Sequence, residues 1–247
     1  MKLALLADLH ANREALSALL EHARTQGAER FAFLGDYVGY GADPGWVVDQ
    51  VRDHVERGAW AVLGNHDEAA VRGMRPSMSD DARRGVEWTR AQLAPEQLEF
   101  LGSLPLTAAD EEMLFVHANA FDPAGWAYVE GRSEAARSMH ACTQRHTFCG
   151  HVHEPHLFHL TSTGKSGDFV PSPGVPIALS PLRRWLVIPG SGGQPRDGLP
   201  AACYAIFEPD TATLVYHRVP YDHEAAAAKV RAAGLPESLA QRLIHGG

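Results

Sequence analysis

The chain has 247 residues, a formal net charge of −8 at pH 7 and three cysteines. That length allows one large domain or two small ones, with a core that needs no covalent staples. The acidic balance argues against nucleic acid, which a basic patch would hold; Cys142, Cys149 and Cys203 lack paired spacing, so no disulfide framework is expected.

The first apolar run, Leu3 to Ala7, reads as a buried strand and ends at Asp8-Leu9-His10. It is too short for a signal peptide or a membrane span, and no later run is long enough to cross a bilayer, so a cytoplasmic location and no membrane partner are expected. Asn12 can cap a helix that carries Leu16, Leu19 and Leu20 on one face and closes near Gly27. Phe31 to Leu34 is a second strand, ending at Gly35-Asp36, and a glycine-rich loop follows. Val47, Val51 and Val55 repeat at helical spacing. The run Trp60 to Leu63 then reads as a third strand, ending at Gly64-Asn65-His66-Asp67. Strand and helix alternate, the pattern of a parallel sheet with crossover helices.

Residues 68–105 read as helical text, broken between Gly73 and Pro76 and restarting at Ala94-Pro95, a segment placed to wall or cover whatever lies at Gly64 to Asp67. Met113 to Val116 is a fourth strand and ends at His117. Ser133 to Ala141 suits a helix, and Thr147 to Cys149 is a fifth strand that ends at Gly150-His151-Val152-His153. Five more strands follow without helical text between them: Leu157 to Leu160, Asp168 to Val170, Arg184 to Ile188, Ala202 to Phe207 and Thr213 to Val219. They imply antiparallel hairpins in a second sheet or at a sheet edge. Residues 222–247 form an Ala-rich helical tail interrupted at Gly234. With no repeat and no linker, residues 1–247 read as a single domain.

Five strands therefore end in polar groups: Asp8 with His10, Asp36, Asn65 to Asp67, His117, and His151 with His153. Singly, each has a structural explanation. Asp8, Asp36, Asn65 or Asp67 can cap a helix, with one beginning near Glu68, and His117 can be a hydrogen-bonded core histidine. Together they point to a metal site at the carboxyl ends of the strands. Seven donors exceed the four of a tetrahedral centre, so two divalent ions about 3.5–4 Å apart are expected. Oxygen and imidazole donors without thiolate suit manganese, the first expectation, and equally admit iron, zinc, cobalt or nickel.

The series Asp8-Leu9-His10, Gly35-Asp36, Gly64-Asn65-His66-Asp67, His117 and Gly150-His151-Val152-His153 resembles the calcineurin-like metallophosphoesterases. Trp88-Thr89-Arg90, Leu104-Pro105 and the stretch Pro189 to Gly198 look like a bacterial branch of that family. The resemblance implies a four-layer αββα sandwich of two mixed β-sheets flanked by helices. It assigns Asp8, His10 and His153 to one metal and Asn65, His117 and His151 to the other, with Asp36 bridging through both oxygens. The implied reaction is hydrolysis of a small phosphate ester, a phosphodiester or nucleotide-type substrate, by attack of metal-bound hydroxide. His66 would protonate the leaving group and Asp67 would orient His66. A phosphomonoesterase, a dinucleoside-polyphosphate hydrolase and a non-catalytic metal-dependent scaffold are the alternatives.

One departure from the wider family matters. Asp36-Tyr37-Val38 lacks the Asp-Arg-Gly of serine/threonine protein phosphatases, so the phosphate-clamping arginine is missing there. Arg196 is a candidate replacement, unless it is a surface arginine paired with Asp197. Tyr40 either stacks on a substrate base or packs under its own loop.

Overall fold

Leu3-Ala4-Leu5-Leu6 is apolar at every position, and all four residues are fully buried. Such a strand must be covered on both faces, and the side chains divide accordingly. Leu3 and Leu5 point into one core cluster, while Ala4 and Leu6 point into another. The computed structural model, which describes residues 1–76 and 78–247, builds its layers on that division.

Among the described residues there are twelve strands and eight helices. In chain order they are β1 (Leu3–Leu6), α1 (Arg13–Thr25), β2 (Arg30–Phe33), α2 (Pro44–Glu56), β3 (Trp60–Ala61), α3 (Asn65–Arg72), α4 (Asp80–Gln92), α5 (Pro95–Ser103), β4 (Thr107–Ala109) and β5 (Met113–Val116). Then come α6 (Arg132–His140), β6 (His146–Phe148), β7 (Pro155–Thr161), β8 (Ser166–Phe169), β9 (Ile177–Ala178), β10 (Arg183–Pro189), β11 (Ala202–Glu208), β12 (Thr213–Val219), α7 (His223–Ala232) and α8 (Glu237–His245). No helix among the described residues is long and apolar enough to cross a membrane.

Two mixed six-stranded sheets result, ordered β3-β2-β1-β11-β12-β9 and β4-β5-β6-β10-β7-β8. Their inner faces meet through Leu5, Ala32 and Phe207 on one side and Phe115, Phe148 and Val187 on the other. The outer face of the first sheet is covered by α1 and α2, through Leu16, Leu19, Val47 and Val51. The outer face of the second is covered by α6, through Ala135 and Met139. This is the four-layer αββα sandwich. Each fully buried leucine or phenylalanine contributes about 1.5–3 kcal/mol, so the two interior layers dominate stability.

The pairing differs from the expected division into a parallel first half and an antiparallel second half. Strands β5 and β6 leave the first sheet for the second, where β6 pairs in parallel with β10. Strands β11 and β12 return to the first sheet, and β11 lies antiparallel to β1. Periodicity reports that a strand is buried but not which neighbour it takes. The short strands β4 and β9 gave no sequence signal, being only three and two residues long.

Local expectations at helix ends hold where the capping chemistry is explicit. Asn12 caps α1 by accepting from the Ala15 N–H at 3.0 Å, and Pro95 sits at the first turn of α5. Helix α3 begins at Asn65 rather than near Glu68, so Asn65, His66 and Asp67 form its first turn, with Gly64 as the cap.

Candidate metal centre

The parallel strands β1, β2, β3, β5, β6 and β10 all deliver their carboxyl ends to one edge of the sandwich, where ligands bind in α/β folds. The loops that leave them are tied together by main-chain hydrogen bonds. Asp8 N–H donates to the Gly35 carbonyl at 3.1 Å, His10 N–H to Asp36 at 3.0 Å, and Gly150 N–H to His117 at 2.8 Å. Close approach restricts the residue types. A side chain at Gly64 would collide with the main chain and carboxylate of Asp36, and one at Gly39 would collide with the His66 ring.

Asp8, His10, Asp36, His151 and His153 all have positive φ, between 45° and 71°. Non-glycine residues avoid this region, at a cost of about 1 kcal/mol or more each. The surrounding hydrogen bonds hold them there and turn their side chains toward a common point.

The imidazoles show how this is done. His10 Nδ1 faces the Val38 carbonyl at 3.0 Å, and His153 Nδ1 faces that of Gln194 at 2.7 Å. His117 Nδ1 faces the Leu34 carbonyl at 2.7 Å, and His151 Nε2 that of Trp126 at 3.0 Å. A carbonyl only accepts, so each of these nitrogens carries the proton, and the other ring nitrogen points inward. The inward pairs are close: His10 Nε2 lies 3.1 Å from His153 Nε2, and His117 Nε2 lies 3.1 Å from His151 Nδ1.

At the first pair, burial holds both rings neutral by pulling their pKa values well below the usual imidazole range. Two lone pairs then face each other beside the Asp8 carboxylate, whose Oδ1 is 3.5 Å from His153 Nε2. Such a contact is repulsive without a cation between the atoms, so the donor set of Asp8, His10 and His153 fits a divalent ion. At the second pair, burial lowers His151 to about 3. His117 goes the other way: burial opposes its charge, but the Asp36 carboxylate outweighs that and raises it to about 9. A proton on His117 Nε2 can thus balance Asp36, with the Asn65 side-chain oxygen 3.0 Å away. Asp36, His117 and His151 form the second group able to hold a metal.

Asp36 stands between the groups. Its Oδ2 is 3.7 Å from His10 Nε2 and 3.4 Å from His117 Nε2. Its Oδ1 accepts from the His66 main-chain N–H at 2.8 Å. Oδ2 thus faces both groups, while Oδ1 is anchored to the main chain. Burial works against ionising Asp36, but the nearby imidazoles, His117 first, hold it well below the usual carboxylate range. Burial pushes the Asp8 carboxyl up to about 7.

Asp67 does something other than orient His66. Its carboxylate accepts the N–H groups of Asp36, Tyr37, Val38 and Gly64, at 2.8 to 3.2 Å. It cross-links the turn before α3 to the loop after β2. His66 is buried and its Nδ1 has no partner among the described residues, so Nε2 is the nitrogen left to face the cavity above the Asp and His groups. Burial lowers its pKa, with Asp36 opposing.

That cavity is about 500 Å³ and opens over Asn65, His66 and His151. Tyr40 packs between two site histidines, its ring 4.6 Å from His10 and 4.5 Å from His66. Arg196 lines the opening. It is not paired with Asp197, which forms an ion pair with Arg218 instead. Sequence reasoning missed Trp126 and Tyr128. Trp126 supplies the carbonyl for His151, and its indole N–H donates to Glu68 Oε2 at 3.0 Å. The available signal was an aromatic pair in a Gly-containing loop directly after a candidate ligand, His117. Ser191 was also missed; its hydroxyl donates to the Asp8 carbonyl at 2.8 Å and fastens the turn after β10 to the site.

The chain belongs to the calcineurin-like phosphoesterase superfamily, whose domain description matches residues 1–212. It is 33% identical over 251 residues to an uncharacterized protein of Methanocaldococcus jannaschii, covering 99% of this chain and 98% of that one. A solved metallophosphoesterase from Sphaerobacter thermophilus is 36% identical with a TM-score of 0.88, covering 100% of this chain and 99% of the other. A hypothetical protein from Pyrococcus horikoshii shares the fold at 20% identity and a TM-score of 0.78, with 100% and 98% covered.

Proposed function

We propose that the chain is a dimetal-dependent hydrolase of small phosphate esters, with a phosphodiester or nucleotide-type compound as substrate. Asp8, His10 and His153 would hold one ion, and Asn65, His117 and His151 the other, with Asp36 between them. The observation that carries the reading is the pair of inward nitrogens at 3.1 Å in each half, every one fixed by a main-chain carbonyl on its far side. Bound divalent ions would ionise a water near neutral pH and offset charge on the phosphoryl oxygens. Manganese is the ion to load first, and a cytoplasmic location fits the thiols, which are all unpaired.

The protein's own groups do the rest. The main-chain carbonyls of Leu34, Val38, Trp126 and Gln194 fix tautomers and ring planes. His66 presents an Nε2–H donor to the leaving oxygen, since the burial of an unpartnered Nδ1 against Gly39 favours a proton on Nε2. Arg196 and Tyr40 border the substrate. His66→Ala should lower turnover on the order of a hundredfold while metal content stays normal; loss of metal in that variant would make His66 a ligand instead.

The deciding experiment strips the metals, reloads manganese, and compares a chromogenic diester, its monoester, cyclic nucleotides and dinucleoside polyphosphates. Metal-dependent hydrolysis of one class over the others is the expected result. No hydrolysis of any would end the enzyme reading.

A further inference from the structure

Three arginines border the cavity above the Asp and His groups: Arg75, Arg196 and Arg242. They are not equivalent. Arg75 is paired with Glu68, whose Oε2 is 2.8 Å from the guanidinium, and that same oxygen accepts the Trp126 indole N–H. Arg75 is thus part of the wall. Arg196 has lost its nearest candidate partner, because Asp197 is taken by Arg218. Among the described residues its buried Nε has no hydrogen-bond partner, and its Nη2 makes a long bond, 3.3 Å, to Gln194 Oε1. Arg242 is half-buried on α8, and among the described residues no carboxylate lies within ion-pair distance of it. Two half-buried guanidiniums without a paired carboxylate, side by side at one cavity, favour an anionic occupant.

Arg242 reaches this position because the C-terminal hairpin is docked. Residues 213–247 lie beyond the stretch that matches the family domain. Ala227, Val230, Leu239 and Leu243 of the hairpin pack in one cluster with Tyr40 and Ala82. Lys229 ties it down through Glu14 at 2.6 Å and Asp43 at 2.7 Å. The family-matched region thus supplies the Asp and His groups, and the hairpin supplies a cation above them.

We propose that Arg196 and Arg242 form a subsite for a second phosphoryl group, one attached to the substrate beyond the group that is hydrolysed. The inference rests on the phosphoesterase reading above and narrows its substrate to the nucleoside diphosphate or polyphosphate class. The guanidinium fork matches phosphate oxygens in pairs. The cavity, at about 500 Å³, has room for more than a single phosphate. Tyr128 is 44% exposed, its ring stacked 4.0 Å over His151, which leaves an aromatic face beside the opening for a base.

The test uses full-length manganese-loaded protein in two measurements. Calorimetry compares binding of adenosine 5′-(α,β-methylene)diphosphate, which resists hydrolysis, with binding of adenosine monophosphate. Steady-state kinetics compares kcat/KM for a nucleoside diphosphate with that for a chromogenic monoester. The wild type should favour the two-phosphate compound in both. Arg242→Met and Arg196→Met each keep an unbranched side chain and remove the guanidinium. Each should cut the preference ratio about tenfold or more, through KM rather than kcat, and Arg242→Lys should recover part of it. A ratio that is the same in wild type and variants, or no wild-type preference, overturns the subsite. Absence of metal-dependent hydrolysis of every ester would instead overturn the phosphoesterase reading itself. If a Met variant fails to fold by circular dichroism, Arg242→Lys decides alone: an undiminished ratio counts against the guanidinium subsite.

Discussion

The floor of the cavity is made of side chains at strand ends, each tied to main chain. Its walls are made of side chains from α3, α4, α8 and the loop after β5, tied mostly to one another. On the floor, five residues with positive φ are held by backbone hydrogen bonds, and the four imidazoles each lean on a carbonyl. In the walls, Arg75, Glu68 and Trp126 form a side-chain cluster that touches the floor where Trp126 meets His151 and His117. The difference separates two tasks. A site that must hold ions needs donors fixed within tenths of an ångström, which rigid strand ends supply. A surface that reads a substrate can be built from side chains that shift independently.

The most severe way to break this contrast is at the centre of the floor. Asp36→Asn removes the charge facing both His10 and His117 while keeping the shape. The expected result is loss of bound metal and a fall in turnover on the order of a thousandfold, read by elemental analysis and ester hydrolysis. A variant that keeps two ions per chain would show that Asp36 is not shared between the halves.

Asp67 tests whether the floor depends on backbone ties. Its carboxylate satisfies four buried N–H groups, so Asp67→Ala strands four donors. Destabilisation of about 3–5 kcal/mol is expected in urea denaturation, together with weakened metal binding. Were Asp67 only an orienter of His66, turnover would drop with stability intact.

Proton competition sharpens the comparison within the floor. A metal needs the unprotonated imidazole and the ionised carboxylate, so affinity rises with pH up to each pKa and then levels. For the half with His117, raised to about 9 by Asp36, affinity should climb through pH 7, 8 and 9, by about tenfold per unit. For the half with His10 and His153, both lowered by burial, the rise should stop near pH 7, where Asp8 is ionised. Calorimetric titration of metal-stripped protein from pH 6 to 9 should therefore resolve two classes of site with different pH slopes. Equal slopes would deny the asymmetry.

The same contrast explains what could be read from the sequence. Floor residues follow buried strands that announce themselves as apolar runs, so Asp8, Asp36, Asn65, His117 and His151 were legible from position alone. So was the four-layer fold, through the resemblance those residues carry. The walls gave no such signal. Arg242 is one arginine on an ordinary amphipathic helix, and only the docking of the hairpin against Tyr40 brings it to the cavity. Asp67 was visible, but its role was misjudged: adjacency in sequence suggested His66 as its partner, whereas the first turn of α3 directs the carboxylate back to the loop after β2. Strand pairing was hidden for a similar reason, since β11 meets β1 across nearly the whole chain.

The smallest effect should come from Trp126, where the Arg75–Glu68 cluster meets the floor. Trp126→Phe keeps an aromatic ring and the main-chain carbonyl that holds His151, but removes the indole N–H bonded to Glu68 and the packing of the second ring. Glu68 retains Arg75, so the oxygen is not left bare. The cost should be about 1–3 kcal/mol in stability. Metal content should be normal, because the carbonyl is unaltered, and KM should rise a few-fold as the wall loosens. If Trp126→Phe instead lost metal, the wall would be fixing His151 through its side chain, and the separation between a rigid floor and an adjustable wall would fail at this residue.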